Sequence, residues 1–310
     1  MSIPNERRKL GRTGIEVTPL CIGTSPLGRL EDPGDFDSAD ARAVATVEAV
    51  FDSPVNFLDT SNGYGIAEQR VGAAVRKLGG LPEGFVLQTK VDPDPVTKDY
   101  SGARVRASVE ESLERLGVDH LPILALHDPE FMSQDGFAPG GALEALVELR
   151  DGGVADHLAV ASGALELSER YLDTGEFDVV LNHNRFTLLN RSAEALYAKA
   201  REQGIGVLNA APYGGGMLVK GPEAQPKYAY RVREDAFRES AVAMAAACER
   251  AGVPPAAAAL QFSMRSPLVD STVVGVTRPE RVRESLDLMA VDIPASLWEE
   301  LDALAPEASI

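Results

Sequence analysis

The sequence predicts a (β/α)8 barrel, with an N-terminal β-hairpin and long loops on the C-terminal face. Three observations carry that prediction. Short apolar runs alternate with helical patterns eight times in about 270 residues, the number of units a closed barrel needs. Each run is four to six residues long and apolar at nearly every position, as a strand covered on both faces requires. No Gly-x-Gly-x-x-Gly turn follows the first run, which disfavours the alternative of a doubly wound open sheet.

Taken in order, residues 9–17 read as a small hairpin with Gly11 and Gly14 at its turn. The first barrel strand is expected over 19–23 and its helix over 39–52. Strands at 55–59, 85–90 and 122–127 follow, with helices at 67–78, 101–116 and 142–150. The series continues with strands at 157–162, 179–182, 206–210 and 273–276. Helices at 165–172, 193–203, 234–251 and 280–289 complete the alternation. Three connections exceed what a barrel needs: 128–141, 212–233 and the tail after Met289. The first two follow strands, so they are expected over the catalytic face as substrate-pocket walls. The run at 130–141 holds Phe131, Met132 and Phe137, and that at 212–233 holds Tyr213, Met217, Tyr228 and Tyr230. Such a lining suits a sugar face or a flat apolar carbonyl, and equally suits loop packing. One barrel domain is expected to fill residues 1–310, without linker or low-complexity tract.

Thirty basic against 47 acidic residues leave a formal charge of −17, which argues against a nucleic-acid partner. Cys21 and Cys248 stand alone in apolar surroundings and read as buried thiols of a reducing compartment. The N-terminus lacks the apolar run of a signal peptide, and no stretch of about 18 apolar residues occurs. A soluble, cytoplasmic protein is expected, as a monomer or small homo-oligomer acting on a small molecule. No membrane partner is expected.

Chemistry concentrates at strand ends. The stretch Asn56-Phe57-Leu58-Asp59-Thr60-Ser61-Asn62-Gly63-Tyr64-Gly65 begins as a strand and breaks at a polar turn, delivering a carboxylate and then a phenol. The next strand closes on Leu87-Gln88-Thr89-Lys90, and the one after on Leu126-His127-Asp128-Pro129. Alone, Lys90 could simply reach solvent and His127 could be a satisfied rim histidine. Asp59, Tyr64, Lys90 and His127 at one barrel mouth instead form a proton-coupled hydride-transfer set. A free phenol, with a pKa of about 10, is a poor acid; a neighbouring ammonium lowers it, and a carboxylate keeps the ammonium charged and aimed. A neutral imidazole beside the reacting carbonyl can donate a hydrogen bond and orient it. No His-x-His pair or strand-end carboxylate cluster suggests a metal.

The sequence resembles the aldo-keto reductase superfamily nearly from end to end. The matching features are Leu10-Gly11-Arg12-Thr13-Gly14, the Asp59-to-Tyr64 spacing, Thr89-Lys90, Ser112-Leu113-Glu114-Arg115-Leu116-Gly117 and His127-Asp128-Pro129. Asn209-Ala210-Ala211-Pro212-Tyr213 looks most like the aldose 1-dehydrogenase branch, which includes galactose, fucose and pyridoxal dehydrogenases. The resemblance implies a barrel oxidoreductase that binds a nicotinamide cofactor without a Rossmann domain. It makes Tyr64 the general acid or base, tuned by Lys90 and Asp59, with His127 positioning the substrate. A catalytically weak regulatory subunit that binds NADP(H) is the alternative.

The resemblance also implies cofactor contacts. Gly23, Thr24, Asp59, Ser162, Asn182, Ala210, Pro212 and Tyr213 would be among them, Ser162 keeping one contact to the nicotinamide amide. The segment Gly275-Val276-Thr277-Arg278-Pro279-Glu280-Arg281 opens a helix, whose N-terminus suits an anionic phosphate. Thr277 and Arg278 match 2′-phosphate contacts and favour NADP, with NAD the alternative; Arg281 and Ser285 fall at the adenine. The chain departs from the family where Ala161-Ser162 replaces Ser-Asn, where Asn182, His183 and Asn184 replace a glutamine, where Ala210 replaces a stacking aromatic, and where Ser285 replaces an asparagine.

Overall fold

The computed structural model describes residues 6–29, 36–132, 134–229, 231–232 and 235–306. Tyr230, Arg233 and Glu234, named above, lie outside the described residues, as do the first five. A short antiparallel hairpin, β1 (Arg8–Lys9) with β2 (Glu16–Val17), precedes the barrel. Seven parallel strands follow: β3 (Leu20–Gly23), β4 (Phe57–Asp59), β5 (Val86–Val91), β6 (Leu121–His127), β7 (Ala155–Ser162), β8 (Val179–His183) and β9 (Gly206–Ala210). A second small hairpin, β10 (Lys227–Tyr228) with β11 (Arg231–Val232), interrupts the series. The last stave, β12 (Ser271–Gly275), pairs with both β9 and β3 and closes the barrel.

Register explains why the strands read as continuous apolar runs. One set of alternate residues, including Cys21, Phe57, Val86, Ile123, Ala159, Val179 and Leu208, packs in one cluster with Leu10 and Val17 of the hairpin. That is the barrel bore, plugged at its N-terminal end. The other set, including Ile22, Leu58, Leu87, Leu124, Leu158, Val180 and Val207, packs in the larger cluster with the helices. Followed upward at intervals of two, the inward series turns polar: Phe57 to Asp59, Val86 to Gln88 to Lys90, Ile123 to Ala125 to His127. The chemistry therefore occupies the top layer of an otherwise apolar bore. Cys21 and Cys248 are both buried free thiols.

The helices are α1 (Phe36–Phe51), α2 (Ala67–Leu78), α3 (Gly102–Leu116), α4 (Ala142–Asp151), α5 (Leu165–Leu172), α6 (Glu194–Glu202), α7 (Met217–Lys220), α8 (Asp235–Arg250), α9 (Pro255–Met264), α10 (Pro279–Ala290) and α11 (Ala295–Ala303). Three were not anticipated from periodicity: the four-residue α7, α9 and α11. In α9, Ala257, Ala258, Ala259 and Leu260 are all fully buried, so no polar face marks the helical period. In the C-terminal tail, α11 buries Leu297 and Leu301 one turn apart and sets Trp298 against the Arg265 guanidinium, 4.3 Å from ring centre. No described helix is long and apolar enough to cross a membrane.

The motif 112–117 acquires a packing role. Ser112 and Leu116 are buried on α3, and Gly117 caps that helix in the left-handed conformation. Opposite it, Gly72 of α2 lets the helices touch: a Cβ there would lie 1.9 Å from Arg115 O. Gly72→Ala is expected to destabilise by roughly 1–3 kcal/mol through overpacking, against about 1 kcal/mol recovered in helix propensity. A urea midpoint equal to that of the parent would mean the two helices part without cost.

Candidate active site

Three strand ends and one turn bring the candidate residues together. Asp59 closes β4, Lys90 lies near the end of β5 and His127 closes β6. Tyr64 sits on the turn between β4 and α2, whose Ser61 carbonyl accepts from Tyr64 N at 3.1 Å. Gly63 in that turn is sterically required, since a Cβ would fall 2.5 Å from Asp92 Oδ1.

Lys90 is 1% exposed, so its three protons must be satisfied inside. Nζ donates to Asp59 Oδ2 at 2.8 Å, to Thr60 O at 2.6 Å and to Tyr64 Oη at 3.2 Å. Gln88 Nε2 donates to the other oxygen of Asp59 at 2.7 Å. Burial alone would lower the Lys90 pKa, but Asp59 and Tyr64 outweigh it and hold the ammonium above its ordinary value. Burial also dominates at Tyr64: it pushes the phenol well above its ordinary value, although Lys90 pulls it down. The sequence reading had the sign of the lysine's effect, but desolvation of the phenolate outweighs it. Tyr64 is thus a protonated phenol at neutral pH that already accepts from Lys90 and keeps its own proton for the cavity.

Asp92 was missed by the sequence reading. It continues the inward series Gln88, Lys90, Asp92 just beyond β5. Its Oδ1 lies 2.7 Å from His127 Nδ1; its Oδ2 accepts from Gly63 N at 2.7 Å and from the Ser61 hydroxyl. Burial would raise the Asp92 pKa, but His127, Ser61 and the Gly63 amide together hold it below the ordinary value. A carboxylate only accepts, so the proton between the two groups belongs to Nδ1, and a neutral His127 carries a bare Nε2. The His127 and Tyr64 rings meet edge to face at 5.3 Å.

These groups open into a cavity of about 280 Å³, lined also by Asp128, Ala161, Leu181, His183, Ala210 and Ala211. A second cavity of about 310 Å³ holds Tyr213, Thr277, Arg281, Glu284 and Ser285, and both cavities touch Gly275. Gly23 and Gly275 are register partners across β3 and β12, so these two strand ends add no side chain where the cavities meet, and Pro26 packs there against Gly275. The N-terminus of α10 has no side-chain cap, but Pro279 carries no amide proton and Arg281 N already donates to Arg278 O at 3.0 Å. Two cavities meeting at Gly275, one beside the Tyr64 phenol and the other beside the first turns of α10, fit an elongated nucleotide.

The predicted contact residues divide accordingly. Gly23, Ala210 and Gly275 line the first cavity, and Tyr213, Thr277, Arg281 and Ser285 the second. Thr24 is fully buried with its hydroxyl on Asp59 O at 3.1 Å, and Pro212 is buried. Ser162 donates to Glu130 Oε2 at 2.7 Å. Asn182 lies behind the wall, with Nδ2 donating to Ser162 O at 2.7 Å, while its neighbour His183 lines the cavity. Arg278 is occupied by Glu284 at 2.9 Å and Glu280 at 3.6 Å, and Arg281 by the same Glu284 at 2.7 Å.

The aromatic wall does not form as one alternative had it. Phe137 stacks on Tyr171, Met217 and Tyr228 are buried in the core, and Phe131 is largely exposed. Asp128, Glu130 and His183 offer atoms within 4.8 Å of one another. Both oxygens of Glu130 are already taken, by Ser162 Oγ and by Gly163 N at 2.9 Å.

The profile of the aldo/keto reductase family matches residues 19–306. The chain is 33% identical to D-threo-aldose 1-dehydrogenase of Pseudomonas sp, covering 93% of this chain and 94% of that one. It is 31% identical to L-galactose dehydrogenase of Arabidopsis thaliana, over 96% and 94% of the two chains. Pyridoxal 4-dehydrogenase of Microbacterium luteolum is 28% identical over 96% of each. A crystal structure from Pseudomonas aeruginosa, titled as an aldo-keto reductase, superposes with a TM-score of 0.68 at 22% identity. It covers 93% of this chain and 96% of its own, and shows the shared barrel.

Two predictions concern the buried charges. Lys90→Met strands Asp59 and is expected to cost about 3–5 kcal/mol, part of which returns in the Asp59→Asn/Lys90→Met double variant. Chemical denaturation reads both. Because the folded pKa of Asp92 is depressed, its contribution to stability is complete above the unfolded value of about 3.9 and is lost as pH falls through the lower folded value. Asp92→Asn should therefore flatten the acid limb of the stability profile below about pH 4.

Proposed function

The chain belongs to the aldo/keto reductase family of oxidoreductases, and we propose that it moves hydride between a nicotinamide nucleotide and a sugar hemiacetal or simple carbonyl carbon. The observation that carries this reading is the Lys90 ammonium, fully committed, with one proton on Tyr64 Oη at the floor of the cavity. The names of the aldose-oxidising relatives support a sugar as substrate.

Bound nicotinamide would supply or take the hydride. Gly23, Ala210 and Gly275 would face its ring end, and Thr277, Arg281 and Ser285 its adenosine end. The chain's own residues handle the proton. In reduction, Tyr64 Oη gives its proton to the carbonyl oxygen, and Lys90 stabilises the phenolate left behind. In oxidation, the same phenolate takes the hydroxyl proton. Asp59 keeps Lys90 charged and aimed, and the low-dielectric floor makes both interactions stronger than they would be in water. His127 accepts from a substrate hydroxyl through Nε2 while Asp92 holds its other nitrogen. The barrel floor below excludes water with Phe57, Val86 and Ala125.

The cofactor reading is NADP, with the discrimination weakened by Glu284. A carboxylate shared by Arg278 and Arg281 neutralises part of the charge a 2′-phosphate would meet. Fluorescence titration should show NADPH bound more tightly than NADH by about tenfold or less, worth up to about 1.4 kcal/mol. Arg278→Ala should erase that preference and Glu284→Gln should enlarge it; tighter NADH binding would reverse the assignment.

Tyr64→Phe should lower turnover by about 10²–10⁴-fold while leaving nucleotide affinity within about threefold, the range a positioned general acid supplies. Parent-like rates in that variant would remove Tyr64 from the chemistry. Tight nucleotide binding with negligible turnover of the unaltered protein across carbonyls and sugars would favour a regulatory subunit. The raised phenol pKa also fixes a sign: reduction should stay level through neutral pH, and oxidation should rise with pH as phenolate becomes available.

A further inference from the structure

Helix α3 turns a polar stripe toward the catalytic turn. Arg104, Ser108 and Ser112 lie one helical turn apart on it, and all three are buried. A barrel helix ordinarily presents an apolar stripe to its strands. Arg104 also stands in the first turn of α3, where the helix dipole disfavours a cation. Helix stability therefore does not explain its placement.

What Arg104 holds is the outer side of the turn that carries Tyr64. Its Nε donates to Asp92 O at 3.1 Å, and Nη2 donates to Asn62 Oδ1 at 3.1 Å. Both terminal nitrogens also fork onto Glu111, at 2.6 and 3.0 Å, which neutralises and aims the guanidinium. The Asn62 amide donates in turn to Ser108 O at 3.1 Å and to Glu111 Oε2 at 3.0 Å. Asp92 N donates to Ser108 Oγ at 3.1 Å. Helix α3 thus grips both backbone groups of Asp92 and both ends of the Asn62 carboxamide.

The turn alternates its attachments. Ser61 and Gly63 donate to the Asp92 carboxylate, while Asn62 between them reaches the opposite way, to α3. Tyr64 comes next, with Oη 3.2 Å from Lys90 Nζ. Among the described side chains of α3, Arg104 alone donates to both Asn62 and Asp92. It closes a ring of contacts from the turn after β4 to the residue just beyond β5. Removing it takes away the one donor these two segments share.

We propose that Arg104 is the positioning residue of Tyr64: it clamps the turn after β4 to the end of β5 through Asn62 and Asp92, and so sets the contact between the phenol and the Lys90 ammonium. The clamp rests on the proton-transfer reading given above, and its test separates the two. The full chain is labelled with ¹³C at tyrosine Cζ and compared with Arg104→Met, the Tyr64 resonance being assigned by its loss in Tyr64→Phe. This readout needs no turnover. In Arg104→Met the Tyr64 resonance should move, while that of Tyr197, which bonds Asn209 elsewhere in the barrel, stays in place. Arg106→Met, which breaks only a surface pair with Glu148 on the same helix, should move neither.

Turnover of 4-nitrobenzaldehyde with NADPH is measured alongside. Arg104→Met should lower kcat by about 10–100-fold, the cost of a misplaced reacting group, and leave NADPH affinity within about threefold. In the Tyr64→Phe background the same substitution should cost less than about threefold more, because the group it positions is already gone. A Tyr64 resonance unmoved in folded Arg104→Met, or losses that multiply in the double variant, overturns the clamp and leaves the proton-transfer reading standing. Parent-like turnover in Tyr64→Phe, with the resonance displaced by Arg104→Met, overturns that reading and leaves the clamp. Should Arg104→Met not fold, Asn62→Ala carries the same test, since it removes the turn's attachment and keeps the Arg104–Glu111 pair.

Discussion

A charged lysine buried to 1% exposure is the constraint from which the rest of the site follows. Isolated, an ammonium in that position would lose its charge, since desolvation of the ion exceeds what any one neighbour returns. Lys90 keeps its charge because three acceptors at 2.6–3.2 Å surround it. Two of them, Asp59 and the Thr60 carbonyl, belong to one strand end, and the third is the phenol. The lysine's requirement for acceptors therefore fixes Tyr64 as firmly as it fixes Asp59. Gln88 then satisfies the carboxylate from below.

The second fixed point is Asp92. It ties the turn that carries Tyr64, through Ser61 and Gly63, to the ring of His127. Arg104 supports it from α3: Nε donates to Asp92 O at 3.1 Å, and the guanidinium is shared between Asn62 and Glu111. Arg115 adds Glu68 to the same layer. A chain of polar contacts thus runs from the helix α3 motif to the cavity, one shell outside the groups that would touch substrate. Such shells hold reacting groups to the tolerance that chemistry demands.

The barrel and its mouth were legible because each strand had a single local requirement. A stave covered on both faces must be apolar throughout, so a polar residue at its end stands out, as Asp59, Lys90 and His127 did. Helix α9 was illegible for the matching reason: it is mostly buried and apolar at nearly every position, and a helix without a polar face has no period to read. Asp92 follows a strand end too, but it needs partners to acquire meaning: His127 Nδ1 arrives beside it, and Ser61 and Gly63 close on it. Arg278 shows the opposite case. Its type suited a phosphate, yet Glu284, one and a half turns along α10, claims it first.

The direction of chemistry is then a question of which groups in the mouth carry protons. Tyr64, raised by burial, holds one, and Lys90 holds three, all committed. A substrate that must receive a proton finds the Tyr64 phenol, with the Lys90 ammonium already on its oxygen. The bore beneath stays apolar, so this polar layer is not diluted by water from below.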